Sequence, residues 1–292
     1  MLNNQIKASI IETLSFTLQQ DTELISYEPC GGGSINEAYV LHTTTGNFFI
    51  KLNNSIQYPE MFLLEAEGLN LLSSQNIIKT PNVIAFNTTT DTAFIILEYI
   101  KEVTKSSDFW FDFGLRLASL HKTSSNLFGL EKTNYIGSIK QCNDQYNTWT
   151  DFFAICRIEY LFKQATNKGL LSLNLHKSID KLFQLLDEIF QKEPASLVHG
   201  DLWSGNFMIN TDEQPVLIDP AVYFGHREMD IAMSRLFGGF NQTFYEAYTE
   251  AYPLDNGWME RVDICNLYPL LVHVLLFGQQ YANEVTRILR KF

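Results

Sequence analysis

Three polar residues in the second half of the chain have the types and the order that phosphoryl transfer from a nucleotide requires. In SLVHGDLWSGNFMINTDEQPVLIDP, residues 196–220, His199, Gly200 and Asp201 are followed five positions after the aspartate by Asn206, and Asp219 closes a later apolar run. In such a reaction one carboxylate orients the acceptor hydroxyl and takes its proton, while a carboxamide and a second carboxylate hold magnesium against the phosphate oxygens. Asp201 suits the first task; Asn206 and Asp219 suit the second. Local patterning makes 196–198 a short buried strand, HGDLWSGN a loop, NFMIN a second strand, TDEQ a turn and PVLID a third strand. The three polar residues therefore fall in loops or at strand ends, where a rigid frame can aim them at a ligand.

The spacing H-x-D-x-x-x-x-N is that of a kinase catalytic loop, and Asp219 stands in the place of the aspartate of the D-F-G triplet. A nucleotide site would need further parts upstream. Residues 5–19 carry Ile6, Ile10, Leu14 and Leu18 at helical spacing. ISYEPC, NEAYVLHT and NFFIKLN then read as three antiparallel strands, the last two joined by a turn at Gly46. Between the first two lie Gly31, Gly32 and Gly33, followed by Ser34; such a run lets backbone amides approach phosphate oxygens. It departs from G-x-G-x-x-G, because Asn36 occupies the third glycine position. Lys51, at the end of the third strand, is placed to meet the α- and β-phosphates. The next helix, residues 59–74, carries Glu65 and Glu67, and either could pair with Lys51. Two positions apart, they sit roughly 200° apart around the helix, so only one can face the nucleotide.

PNVIAFN and TAFIILEYI complete a five-stranded antiparallel sheet. The second ends at Glu98, Tyr99 and Ile100, whose backbone groups would hydrogen-bond adenine as a hinge. From residue 106 the chain reads as mainly helical. His121 ends the first of these helices, as a cap or as a structural support beneath the catalytic loop. A long helix from Trp258 is expected to break near Pro269. The organisation expected is α+β: a small lobe over 1–97 with sheet, glycine loop and Lys/Glu pair, a hinge over 98–105, and a large helical lobe over 106–292 holding the catalytic loop, metal site and acceptor site.

Composition narrows the class. With 46% hydrophobic and 18% charged residues the 292-residue chain is a folded globule, and its formal charge of −12 offers no nucleic-acid surface. Cys30, Cys142, Cys156 and Cys265 lack metal-ligand spacing and read as reduced thiols of a cytoplasmic protein. The N-terminus has no signal-peptide core. The apolar run at 267–278 is too short to span a bilayer, so no membrane partner is expected.

GGGSINEAY, MFLLEAEGL, FGLEKTNYIG, HGDLWSGN and DPAVYFGHREMDIAMSRLFGGF occur in this order across residues 31–240. Together they resemble the fructosamine kinase (ketosamine-3-kinase) family, within the aminoglycoside and choline kinase branch of protein-kinase-like folds; the resemblance spans about 24–281. It implies ATP and Mg2+, a small-molecule or protein-bound ketosamine (ribulosamine, erythrulosamine or fructosamine) as acceptor, phosphorylation of the sugar 3-hydroxyl and hence deglycation of the amine. It assigns Glu65, through F-x-x-E-A-x-G-L, as the partner of Lys51. Trp203, two residues past the catalytic aspartate, is a candidate sugar platform. Some family members carry cysteine where this chain has Ser34, so redox control through that position is not expected here. The alternatives are a kinase of another small alcohol, such as an aminoglycoside, choline or homoserine, and a nucleotide-binding pseudokinase. A protein kinase fits poorly: no A-P-E segment follows Asp219, and Gly200 replaces the usual arginine.

Overall fold

A computed structural model describes residues 2–31 and 35–292, and in it the chain packs as two compact units, 1–105 with 208–219 and 106–207 with 220–292. Gly32, Gly33 and Ser34 lie outside the described residues. The sequence groups 208–219 with the helical part, whereas the structure packs this segment into the first unit. Backbone bonding explains the difference: Leu217 N–H donates to the Lys79 carbonyl at 2.9 Å, and Val103 N–H donates to the Ile209 carbonyl at 3.1 Å.

In the first unit a helix α1 (Asn4–Leu18) precedes strands β1 (Leu24–Pro29), β2 (Glu37–Thr43) and β3 (Gly46–Asn54), then helix α2 (Met61–Ser73) and strands β4 (Val83–Thr88) and β5 (Thr92–Glu98). The strands form the expected five-stranded antiparallel sheet in the order β1-β2-β3-β5-β4. Alternation along β3 sends Phe48, Ile50 and Leu52 into one core with Leu41, Phe94 and Ile96, against Ile10 and Leu14 of α1. An isolated helix of about 15 residues is marginal in water. Burial of Ile10 and Leu14, at about 2 kcal/mol each, holds α1 in place. The same alternation turns Lys51 to the opposite face.

The second unit is mainly helical, with helices α3 (Phe109–Leu120), α4 (Trp149–Phe152), α5 (Tyr160–Asn167), α6 (His176–Ile189), α7 (Glu228–Leu236), α8 (Gln242–Ala251), α9 (Trp258–Phe277) and α10 (Ala282–Leu289). A π-helix (Phe153–Glu159) links α4 to α5. Short strands β6 (Ser124–Ser125), β9 (Ala195–Val198) and β12 (Tyr223–Gly225) form one sheet with β9 central, and β7 (Asn134–Ile136) pairs with β8 (Ile139–Gln141). The strands β10 (Phe207–Ile209) and β11 (Pro215–Leu217) make the hairpin expected around TDEQ. Helices α3 and α8 touch at Gly114, where a Cβ would stand 2.4 Å from the Phe244 carbonyl oxygen.

Two expectations are corrected. Helix α9 runs unbroken through Pro269, because Leu267, Tyr268, Leu270 and Leu271 are buried on both sides of it and outweigh a proline cost of about 3 kcal/mol. Cys142, just past β8, pairs with Cys156 in the π-helix across a Cα separation of 5.1 Å, so among the described residues the free thiols are Cys30 and Cys265. The 14-residue separation of Cys142 and Cys156 carries no local pattern, since the strand hairpin and the π-helix that bring them together are tertiary neighbours.

Candidate active site

In the first unit, Lys51 is 5% exposed and its ammonium meets two carboxylates. Glu65 accepts from Nζ at 2.6 Å, and Asp219 Oδ1 accepts a second, shorter bond. Glu67 is on the exposed side of α2. The ambiguity between the two glutamates is thus resolved by the helix face: Phe62, Ala66 and Leu69 fix which side of α2 is buried, and Glu65 lies beside it. Burial would lower the Lys51 pKa, but the facing Asp219 and Glu65 charges outweigh it and hold the ammonium firmly protonated. Burial also pushes the Glu65 carboxyl upward, against the pull of Lys51. Asp219 has φ of +54°, in the left-handed region that Asp tolerates better than most residues.

Glu98 ends β5 with its carboxylate accepting from the Asn82 backbone and side-chain amides at 3.2 and 2.7 Å. Tyr99 and Ile100 follow outside the sheet, Tyr99 being partly exposed. Gly31 is exposed with open space around its Cα, while Gly32, Gly33 and Ser34 are beyond the described residues.

In the second unit, β9 delivers the chain into the loop that bears Asp201. Asn206 Nδ2 donates to the Asp201 carbonyl at 2.8 Å and to its Oδ2 at 2.9 Å. With its amine group spent on Asp201, the carboxamide offers only Oδ1 to a ligand. Residues absent from the sequence reading hold this loop. Asp230, wholly buried in the first turn of α7, accepts from the backbone N–H of His199 at 2.7 Å and of Gly200 at 2.9 Å. His121 stands behind it, Nε2 3.2 Å from Asp230 Oδ2 and Nδ1 2.8 Å from the Tyr248 hydroxyl. His121 is therefore the support beneath the loop that the sequence allowed, rather than a helix cap alone. Burial would raise the Asp230 pKa, but the His121 bond, the nearby His199 and the Gly200 amide keep the carboxylate below its usual range.

The segment after Asp219 is fixed with equal care. Ala221 N–H donates to the His199 carbonyl at 2.9 Å. Gln141 Nε2 donates to the Ala221 carbonyl at 3.0 Å, and Asn134 Nδ2 to the Val222 carbonyl at 2.9 Å. Trp203 is half-buried, with its ring over Gly205, where a Cβ would come within 2.4 Å of it. Asp230, Gln141 and Asn134 carry no chemical motif. The sequence signal available is membership of the family stretches: Asn134 lies in FGLEKTNYIG and Asp230 in DPAVYFGHREMDIAMSRLFGGF, whereas Gln141 lies in none of them.

Preset carboxylates, a buried charged lysine and a carboxamide with one free oxygen are the parts of a phosphoryl-transfer site. A family model described as fructosamine kinase matches residues 6–292. A protein of Vibrio parahaemolyticus named "Probable ketoamine kinase" is 38% identical over 287 residues, covering 97% of this chain and 98% of that protein. The chloroplastic "Protein-ribulosamine 3-kinase" of Arabidopsis thaliana is 36% identical over 274 residues, covering 92% of this chain and 82% of that protein. Among solved structures, a "Putative fructosamine-3-kinase" of Haemophilus somnus matches with a TM-score of 0.89 and 29% identity, over 97% of this chain and 96% of that one. An aminoglycoside phosphotransferase solved with AMP-PNP and hygromycin B has a TM-score of 0.64 at 14% identity, over 98% of both chains, a likeness of fold alone. The α+β, protein-kinase-like fold and the phosphotransferase class both agree with the sequence reading. The chain belongs to the fructosamine kinase family.

Proposed function

We propose that this enzyme transfers the γ-phosphoryl group of ATP to the 3-hydroxyl of a ketosamine, with ribulosamine the first substrate to test. The observation that carries the reading is the Asp201–Asn206 pair on a loop whose backbone is pinned by Asp230. The substrate class is supported by the name of the Arabidopsis relative.

Asp201 orients the 3-hydroxyl and accepts its proton as the oxygen bonds to the γ-phosphorus and the bond to the β-phosphate bridging oxygen breaks, releasing ADP. Lys51, kept charged and aimed by Glu65, steadies the α- and β-phosphates. The glycine run with Ser34 covers the phosphates, and the backbone of Glu98, Tyr99 and Ile100 takes the adenine. The donor set suits Mg2+: Asn206 keeps its amide oxygen, and Asp219, half-exposed, keeps a carboxylate oxygen beyond the one on Lys51. When bound there, the ion neutralises charge building on the phosphate oxygens. Trp203 offers its ring to the apolar side of the sugar. The 3-phosphate so formed leaves readily once the sugar tautomerises to the 1,2-enaminol, so phosphorylation initiates deglycation.

The test is Asp201→Asn, followed by ATP-dependent loss of a ribulosamine. Removing the base should lower kcat by about 10²- to 10⁴-fold. Near-normal turnover, or strong choline turnover with no ketosamine turnover by the unaltered enzyme, would overturn the proposal.

A further inference from the structure

Arg157 is wholly buried, in the middle of the π-helix that links α4 to α5. Among the described residues no carboxylate forms an ion pair with it. Arginine is almost never fully buried unless paired, and an unpaired buried charge is costly. The π-helix is itself rare, and such segments are frequent at functional sites. What the guanidinium holds in place of a counter-ion is therefore informative.

It can only donate, and it meets acceptors and a ring. One bond goes to the Cys142 carbonyl, which the Cys142–Cys156 disulfide keeps beside the π-helix, and one to Asn143 Oδ1 at 3.0 Å. The Tyr223 ring centre lies 3.9 Å from the guanidinium carbon. A relay of three buried carboxamides starts at Asn143. With its oxygen taken by Arg157, Asn143 presents Nδ2, which donates to Asn134 Oδ1 at 2.8 Å. The same oxygen accepts from Gln141 Nε2 at 2.8 Å, so Asn134 turns its own Nδ2 to the Val222 carbonyl. Gln141 Nε2 also reaches the Ala221 carbonyl, while Gln141 Oε1 accepts from the Tyr268 hydroxyl. Arg157 is the donor-only end of this relay, and the two backbone carbonyls are its acceptor-only end. A neutral amide at 157 could accept as well as donate, leaving Asn143 free to turn its oxygen toward the Asn134 oxygen.

The relay ends where the Asp201 loop is held. Ala221 N–H donates to the His199 carbonyl, and Tyr223 Cε1 stands 3.3 Å from where a Cβ on Gly200 would be. The two residues before Asp201 thus rest on a backbone that the relay pins and on a ring that Arg157 covers. We infer that Arg157 is a positioning residue for phosphoryl transfer: it touches no reacting atom, but it sets the polarity of the Asn143–Asn134–Gln141 relay and so the placement of Ala221 and Val222 beneath the Asp201 loop. The inference rests on the reading of Asp201 as the base.

The test takes initial rates with ATP and a ribulosamine, and amide hydrogen exchange over residues 199–223, for Arg157→Gln, Arg157→Lys, Asn134→Leu and the combination of Arg157→Gln with Asn134→Leu. Arg157→Gln should lower kcat by about 10²-fold, the cost of displacing a reacting group by about 1 Å, with KM for ATP within about twofold. Arg157→Lys keeps a donor-only cation and should recover roughly tenfold of that loss. The combined variant should be within about twofold of its slower parent, because both changes cut one relay. Exchange over 199–223 should quicken by roughly tenfold in Arg157→Gln and less in Arg157→Lys. Losses in kcat that multiply in the combined variant, or a lysine variant as slow as the glutamine one, overturn the assignment. If Arg157→Gln does not fold, the same cycle is run with Arg157→Lys and Asn134→Leu, and multiplied losses there overturn it equally. Should the unaltered enzyme leave the ribulosamine untouched, the ketosamine reading fails by itself; exchange then decides the relay, and rates over 199–223 unchanged in both Arg157 variants sink it.

Discussion

The Ala221 carbonyl oxygen lies 2.1 Å from the point where a Cβ on residue 200 would stand, and Gly200 itself has φ of +84°. Sterics and backbone conformation both require glycine there, which gives a physical reason for H-G-D in place of H-R-D. The neighbour is backbone and is held by Gln141 and by the Ala221–His199 bond, so it cannot yield cheaply. Gly200→Ala should destabilise the protein by about 3 kcal/mol or more, or abolish soluble expression. Urea unfolding of the variant beside the unaltered chain measures it, and a loss below about 1 kcal/mol would contradict the fit.

Asp230 receives two backbone amides of the same loop and the His121 ring. Asp230→Asn keeps the shape but offers a single acceptor oxygen, so one of the two amides faces an N–H instead. The loop should shift rather than unfold, and misplacement of a reacting group by about 1 Å costs on the order of 10²-fold in rate. The expected outcome is a fall in kcat of that order with KM for ATP changed far less, since the lysine and its carboxylate partners belong to the other unit. An equal rise in KM for ATP would show that the loop is not what was disturbed.

How much of this was legible depends on what each residue's neighbours in sequence reveal. Asp201, Asn206 and Asp219 could be read because their spacing survives in one dimension. Asp230 could not: every residue from Glu228 to Ser234 is buried, so α7 has no polar face against which an inward aspartate stands out. Glu65 and Glu67 illustrate the middle case, where helical geometry showed that only one could face the lysine and tertiary packing decided which. Pro269 was misread because a local rule for helix breaking takes no account of burial on both sides. The Cys142–Cys156 pair was missed because two cysteines that far apart say nothing about a shared neighbourhood. The strands of the first unit were legible to within two residues, since short apolar and β-branched runs bounded by turn residues are a local signal, whether the strand alternates as β3 does or is buried throughout as β5 is.

Glu65 and Glu67 provide a matched pair of substitutions on one helix. Glu65→Gln leaves the buried Lys51 ammonium to Asp219 alone, removing half of its compensation. Lys51 should then be drawn onto Asp219, and kcat/KM for ATP should drop by roughly tenfold or more, as for the loss of one partner of a buried ion pair. Glu67→Gln, on the exposed side, should stay within about twofold. Initial-rate kinetics at varied ATP separates the two, and equal losses would deny Glu65 its role.

Acid stability should depend on Glu193, which precedes β9 and so anchors the approach to the Asp201 loop. Arg227 donates to both of its carboxylate oxygens, at 2.8 and 2.6 Å, and also to the carbonyls of Tyr252 and Pro253. Burial would raise the Glu193 pKa, but the Arg227 bonds and the nearby His226 outweigh it and hold the carboxyl below its ordinary 4.5. A group depressed on folding contributes stability that is complete above the unfolded value and is lost as pH falls through the folded one. The Glu193 contribution should therefore be intact at neutral pH and erode only below about pH 4.5. Glu193→Gln removes the charge at every pH, so it should lower Tm at neutral pH and flatten the acid limb, the two melting curves converging as pH drops. A difference in Tm between the two proteins that is constant across the acid range would show that the carboxylate's charge is not what Arg227 holds.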